Sequence, residues 1–306
     1  MGKIDKFQLK IEEIDTEKLN YRYLDPSITK CEMTETETKF LIHQLVQNKP
    51  QKILEIGVAA GGTTQYILNN MPEDARLFSV DISKNYYREK DKESGYIVKE
   101  LCNDDIQKKW TTYLGYDIID CIDDIGGDID FVVIDTVHAM PGEYLSYLVV
   151  LPYLKKNAVV ILHDIHLNYA YIGGSHTDLN KEAIKIKPVQ KNAYCTTLLF
   201  STISSNHKII LRDGISNIGG FYIDDSTREN VFDVFQSLFA AWDYYPDLNM
   251  TKYQEHINQN YPEKCGIYFK SCLQMQEAYI RYDERKLDKK LRKTAGKILR
   301  KLHIIK

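Results

Sequence analysis

Long apolar runs are missing from this sequence. No stretch approaches the roughly 18 uninterrupted apolar residues of a membrane-spanning helix, which excludes an integral helical membrane protein. The start, Met1-Gly-Lys-Ile-Asp-Lys, has no apolar core of a secretory signal, so the expected location is the cytoplasm. Cysteine pairing is missing too. Cys31, Cys102, Cys121, Cys195, Cys265 and Cys272 are scattered without a C-x-x-C pair, which excludes a zinc ribbon or disulfide scaffold and predicts reduced thiols that fill the core. There is no internal repeat and no low-complexity tract. The 22 tyrosines do not gather in a basic-aromatic run, and no Asn/Asp-Pro-Pro-Tyr element occurs, so nucleic acid is not an expected partner.

What is present is an ordinary globular composition, 43% hydrophobic and 27% charged over 306 residues, enough for a substantial core. The net charge of −3 hides an asymmetry. Residues 284–306 hold ten Lys/Arg against two acids, a net of +8 on a body of −11.

Residues 1–32 read as an N-terminal cover. Thr34-Glu-Thr-Glu37 is a capping box that opens an amphipathic helix to about Gln47, stopped by Pro50. Short apolar runs then alternate with helical stretches. Lys52–Gly57, Arg76–Asp81, Asp130–Asp135 and Ala158–His163 are continuous enough for parallel strands covered on both faces. Helical patterns fill Thr63–Asn70, Tyr96–Trp110 and Gly142–Leu154. Thr196–Ile203 and Gly219–Ile223 read as two later strands, and the pattern is helical from about Thr227. The expectation is an α/β fold with a doubly wound, mostly parallel seven-stranded sheet. A catalytic unit over 33–225 is followed by a helical extension over 226–306.

In such a sheet, ligands bind beyond the carboxyl ends of the strands. The first strand runs into Glu55-Ile-Gly57-Val-Ala59-Ala-Gly61-Gly62-Thr63, where glycines admit close backbone approach and feed a helix N-terminus. The second ends in Asp81, a carboxylate able to accept from both hydroxyls of a ribose. Two nucleotide-type cofactors suit this arrangement. Gly57-x-Ala59-x-x-Gly62 is a relaxed dinucleotide fingerprint implying NAD, whereas Glu55 ahead of the first glycine suits the cationic end of S-adenosylmethionine.

The Glu-x-Gly-x-x-x-Gly pattern resembles motif I of class I S-adenosylmethionine-dependent methyltransferases, with Ala59 where many members have glycine. Asp130-Phe-Val-Val-Ile-Asp135-Thr-Val-His138 and Ala158-Val-Val-Ile-Leu-His163-Asp164-Ile-His166 extend the likeness. With Leu151-Pro-Tyr-Leu154 between them, they resemble a bacterial O-methyltransferase family related to macrolide-sugar and catechol methyltransferases, over about Thr34–Phe200. The resemblance implies a Rossmann-like methyltransferase fold, S-adenosyl-L-methionine as cofactor, and Asp117 in an adenine pocket. It implies Asp135 and Asp164, with His163 as a third, as ligands of Mg²⁺ or Mn²⁺. His163 departs from the acid of sugar-modifying relatives, and Ile165 from the amide of catechol enzymes. The alternative is that the two aspartates only cap helices and bind backbone amides.

Attack of an alcohol on a sulfonium methyl needs a base, a metal, or both. By the same resemblance His166 is the expected base, with His138 as the alternative. Gly173–Asp178 reads as a loop that either closes over acceptor or is a plain surface insertion. Leu287, Leu291, Ala295, Ile298, Leu302 and Ile305 form one apolar stripe on the basic tail. That stripe suits an anionic membrane surface, packing on the body, or pairing with a second chain. The leading function is O-methylation of a sugar in a bacterial surface polysaccharide or glycoconjugate, or of a related small molecule. The rivals are an NAD-dependent oxidoreductase and a non-enzymatic scaffold.

Overall fold

A computed structural model describes residues 11–167 and 194–301, with side chains as far as Tyr282. Its strands are β1 (Ile11–Ile14), β2 (Lys52–Ile56), β3 (Arg76–Asp81), β4 (Trp110–Leu114), β5 (Ile129–Ile134), β6 (Leu154–His163), β7 (Lys208–Leu211) and β8 (Ile218–Tyr222). They form one sheet in the order β1-β7-β8-β6-β5-β2-β3-β4. β8 runs antiparallel to β6 and β7, and the other pairs are parallel. From β2 the chain winds outward through β3 to β4, then returns to place β5 on the other side of β2. The order therefore reverses between β2 and β5, and their carboxyl ends open a crevice there.

The parallel strands are apolar throughout because both faces are covered. Along β5 the side chains alternate: Val132 and Ile134 join one buried cluster with Tyr144, Leu148 and Phe235, while Phe131 and Val133 join another with Phe40, Leu41 and Ile67. The Glu35–Asn48 helix, capped by Thr34 and Glu37 as the sequence predicts, covers the second face with Gly62–Asn70. The first face carries Ile118–Ile125, Gly142–Val150 and the C-terminal helices. All six cysteines are free and buried.

The structure differs from the sequence reading in several places. The sheet has eight strands, because Ile11–Ile14 in the expected cover pairs in parallel with β7 at the edge. Thr196–Ile203 is not a strand. Cys195–Thr202 is a helix whose Cys195 and Leu199 enter the core, and the seventh strand is Lys208–Leu211. A short apolar run fits either period, so pattern alone cannot choose. The helix expected over Tyr96–Trp110 is two, Tyr96–Leu101 and Asp104–Gln107, because the Asn103 side chain caps a new start by accepting from the Ile106 amide. The extension is built into the catalytic core: Val234, Phe235, Tyr253, Ile257, Phe269 and Cys272 belong to the cluster that holds β5 and β6. Gly173–Asp178 lies outside the described residues, as do Leu302 and Ile305.

Candidate active site

Gly57 ends β2 with φ +96°, and a Cβ there would sit 1.7 Å from the Asp135 carbonyl oxygen. Only glycine lets the β2 turn pass the end of β5 so closely. Beside this contact opens a crevice of about 340 Å³, within the usual range for small-molecule sites. Gly57 and Ala59 line it from the loop, Asp81 and Ser83 from the end of β3, Tyr116 and Asp117 from beyond β4, and Asp135 and Thr136 from beyond β5. Ile82, Tyr87, Tyr116, Val137 and Tyr244 expose large apolar surface and all line this one crevice. A collar of exposed apolar side chains around a cleft marks a ligand site.

Asp81 ties the end of β3 to the Gly57 loop. Its Oδ2 accepts from the amides of Val58 (2.9 Å) and Ala59 (3.0 Å), and its Oδ1 from the Ser83 amide (2.8 Å). The carboxylate thus fixes the glycine loop while facing the crevice. Asp117 caps the Ile118–Ile125 helix and also faces inward.

Four residues expected at the cofactor are placed elsewhere. Glu55 is fully buried on the β2 face covered by the Gly62–Asn70 helix, where it accepts from Thr64 Oγ1 (2.8 Å) and Ser79 Oγ (2.6 Å). Burial pushes its pKa up to about 8 against those hydrogen bonds, and Glu55 does not line the crevice. Gly61 and Gly62 do not line the crevice. Their missing side chains make room for Gly95 and for the Cys31 backbone. Thr63 turns its hydroxyl toward Cys31 Sγ (3.7 Å), again away from the crevice.

Beside the crevice wall at Asp135, the turns after β5 and β6 bring this carboxylate together with His138 and Asp164, and the ligand atoms of the three lie within 4.8 Å of one another. His138 Nε2 is 3.1 Å from Asp164 Oδ2 and 3.8 Å from Asp135 Oδ1. His163 is buried behind the pair, with Nδ1 at 3.3 Å from Asp135 Oδ2 and 3.4 Å from Asp164 Oδ2. Its Nε2 faces Glu37 Oε1 at 3.6 Å. His138 and Asp164 both have left-handed backbones, φ +58° each, which is uncommon for residues with side chains and recurs where a site constrains the chain.

The electrostatics follow from four carboxylates around two imidazoles. Burial by itself would lower the His138 pKa, but Glu143, Asp135 and Asp164 outweigh it and raise it to about 9. His163 is likewise raised well above the usual histidine range by Asp135 and Asp164, against its burial. Asp164 is pulled below the usual carboxylate range, against its burial, by the two histidines and Asn217. The Glu143 contact deserves its geometry: His138 Nδ1 stands 3.5 Å from Glu143 Oε1, beyond good hydrogen-bond reach, and attracts it as a charge.

His166, the expected base, is not part of this cluster. Its Nδ1 donates to the Ser216 carbonyl at 2.6 Å and its backbone amide to Asn217 Oδ1 at 3.1 Å. The polypeptide turns between Asp164 and His166, and Asn217 clamps that turn, so neighbours in sequence face different partners. His138, the alternative, meets both aspartates, as His163 does, and is the more exposed of the two imidazoles. Three residues that sequence reasoning missed complete the site. Asn217 Nδ2 donates to Asp164 Oδ1 (2.6 Å). Buried Glu143 accepts from the His138 amide (2.6 Å) and Thr136 Oγ1 (2.9 Å), fixing the turn. Glu37 was legible as a helix cap, but nothing in the pattern signals that its other oxygen faces His163.

Residues 54–165 match the profile of a family described as a methyltransferase domain. That match runs from within β2 to the turn after β6. No curated protein matches it. Among solved structures it is similar to the O-methyltransferase TomG of Streptomyces achromogenes, at 16% identity and a TM-score of 0.46 over 66% of this chain and 91% of that one. It is also similar to an O-methyltransferase of Bacillus cereus, at 15% identity and 0.43 over 63% and 83%.

Proposed function

We propose that this domain transfers the methyl group of S-adenosylmethionine to a hydroxyl oxygen. The observation that carries the reading is the single crevice running from the Gly57 loop, past Asp81 and Asp117, to Asp135 at the edge of the aspartate–histidine cluster. Gly57, Asp81, Asp117 and Asp135 would hold the cofactor along the first part, with Asp81 able to accept from ribose hydroxyls. The acceptor enters at the second part. In the reaction an acceptor oxygen lone pair forms a bond to the methyl carbon as the carbon–sulfur bond breaks, and its electrons return to sulfur to leave a thioether. His138 Nε2, the ring nitrogen that faces Asp164, takes the acceptor proton in the neutral form of the ring. Because the pKa is raised to about 9, that form grows, and transfer should quicken, as pH rises toward 9. Glu143 and Asn217 hold His138 and Asp164 in place, so the rate is gained through alignment.

The donor set also fits a hard divalent cation. Two carboxylates and an imidazole converge, and His138 Nδ1 and both ring nitrogens of His163 are buried without a hydrogen-bond partner. Asp135, His138 and Asp164 would hold Mg²⁺ or Mn²⁺, and such an ion would polarise the acceptor hydroxyl and lower its pKa in place of His138 acting as base. The test is methyl transfer from labelled cofactor to a panel of glycosides, in EDTA and after adding back each ion. Transfer that collapses in chelator and returns with Mg²⁺ or Mn²⁺ supports both parts. Full activity in EDTA removes the metal and leaves His138 as the only base.

The acceptor class we infer is a sugar of a surface glycan, on the sequence resemblance and on the basic tail. No helix among the described residues is long and apolar enough to cross a membrane. The Glu263–Lys301 helix buries Cys265, Phe269 and Cys272, then exposes Tyr279 and Tyr282. Beyond them come the ten basic residues, whose charge complements an anionic lipid surface. Peripheral binding there would bring the enzyme to a lipid-linked acceptor.

A further inference from the structure

Tyr253 belongs to the Met250–Asn260 helix, outside the 54–165 stretch that matches the methyltransferase family. Yet its buried side chain reaches the crevice wall, and its hydroxyl donates to Asp117 Oδ1 at 2.5 Å. The same oxygen accepts from the Ile119 amide at 3.1 Å. Next to it, Lys252 pairs with Asp120 at 2.5 Å, so the helix meets the start of the Ile118–Ile125 helix at two polar points. Leu248 and Tyr244, from the segment just before, line the same crevice.

We infer that Tyr253 is a positioning residue for base selection: it holds Asp117 as an acceptor-only group, so that the crevice takes an adenine and rejects a base with a carbonyl in place of the amino group. This rests on the cofactor reading above. An ionised carboxylate accepts hydrogen bonds and donates none. It therefore matches the exocyclic amino group of adenine, and it repels the carbonyl oxygen of hypoxanthine. Sites that pair one polar group discriminate strongly, because the wrong partner leaves a desolvated atom unpaired.

The position needs such a device. Burial pushes the Asp117 pKa up, and the Tyr253 hydroxyl is the strongest of the influences that oppose it. Burial together with the Asp117 charge holds the Tyr253 pKa well above the ordinary tyrosine range, so the phenol keeps its proton and stays a donor. Without the hydroxyl, Asp117 moves toward its protonated form, which can donate to a carbonyl. The helical extension thus supplies part of the nucleoside selectivity, in addition to covering the core.

The test uses the full chain and calorimetry with two probes, S-adenosylhomocysteine and its hypoxanthine counterpart S-inosylhomocysteine. Tyr253→Phe removes one oxygen and is expected to weaken the adenine probe by about ten-fold and to narrow the adenine preference by about as much. Lys252→Ala breaks the neighbouring helix contact and should change both by no more than about two-fold. Asp117→Asn presents an amide N–H and should shift preference toward hypoxanthine. A folded Tyr253→Phe with the wild-type ratio overturns the inference, and so does Lys252→Ala behaving like Tyr253→Phe, since helix docking would then be the cause. An unchanged ratio in Asp117→Asn overturns it even where Tyr253→Phe does not fold. If wild type binds neither probe, the cofactor reading itself fails and takes this inference with it.

Discussion

The crevice, read as the cofactor end, and the aspartate–histidine cluster that meets it at Asp135, read as the acceptor end, are built on different physics. At the cofactor end the shape is set by backbone: Gly57 turns against Asp135, and Asp81 gathers the amides of Val58 and Ala59. All of these lie within one strand–loop–helix–strand unit, apart from the β5 contact. At the acceptor end the shape is set by side chains from distant places. Glu37, Asp135, His138, Glu143, His163, Asp164 and Asn217 meet as charges and amides around two left-handed turns. The first kind of site should be broken most by a change in backbone and the second by a change in charge, and substitutions can separate them.

The largest effect is expected at the backbone end. Gly57→Ala asks for a left-handed alanine and drives its Cβ into the Asp135 carbonyl. Urea unfolding should show a loss of about 3 kcal/mol or more, and cofactor binding should vanish with it. A variant as stable as wild type would mean that the β2 and β5 turns do not pass so closely. At the side-chain end, Asp164→Asn should slow methyl transfer by about 10²–10⁴-fold, while cofactor affinity changes by no more than about a factor of two. Equal losses in rate and affinity would erase the division between the two ends.

Glu55 offers a subtler probe, because it is a titratable group inside the backbone-built end. Its folded pKa of about 8 lies above the usual 4.5. Below the unfolded value both states hold the proton, and the stabilisation is complete. Between about 4.5 and 8 the unfolded chain releases a proton that the folded chain keeps, so stability falls as pH rises, and above 8 it falls no further. Glu55→Gln, which keeps the contacts with Thr64 and Ser79, should lose that slope. Relative to wild type it should gain at least about 1 kcal/mol in urea unfolding between pH 5 and pH 8. Parallel pH profiles would show that Glu55 is ionised in the fold.

What the sequence revealed follows the same line. The strand-end residues were legible, since an apolar run that stops at Asp81, Asp135 or His163 announces its own end. The loop was legible as glycine. Which way each side chain points was not. Glu55 reads like a ligand contact, but in the β2 alternation it shares a face with Ile53 and goes under the Gly62–Asn70 helix. On paper His166 reads as the base ahead of His138. The choice between them depends on Asn217, about fifty residues away, clamping the turn. Tyr253 carried no motif, because its meaning lies in the helix packing that sets it on Asp117.

The smallest effect on the catalytic body should come from the basic tail. Ending the chain at Tyr282 should leave cofactor affinity unchanged, whereas sedimentation with anionic vesicles should drop. Each Lys or Arg near such a surface contributes about 1 kcal/mol, so binding by the full chain should also weaken steeply with salt. Equal partitioning of both forms would exclude lipid as the partner of the tail.

The central claim, that the crevice between Gly57 and Asp135 is an S-adenosylmethionine site, is tested most directly by calorimetry of the full chain against S-adenosylmethionine and NAD. The account predicts one site per chain with micromolar affinity for S-adenosylmethionine, and no heat with NAD. Saturable NAD binding with no response to the sulfonium cofactor would contradict it.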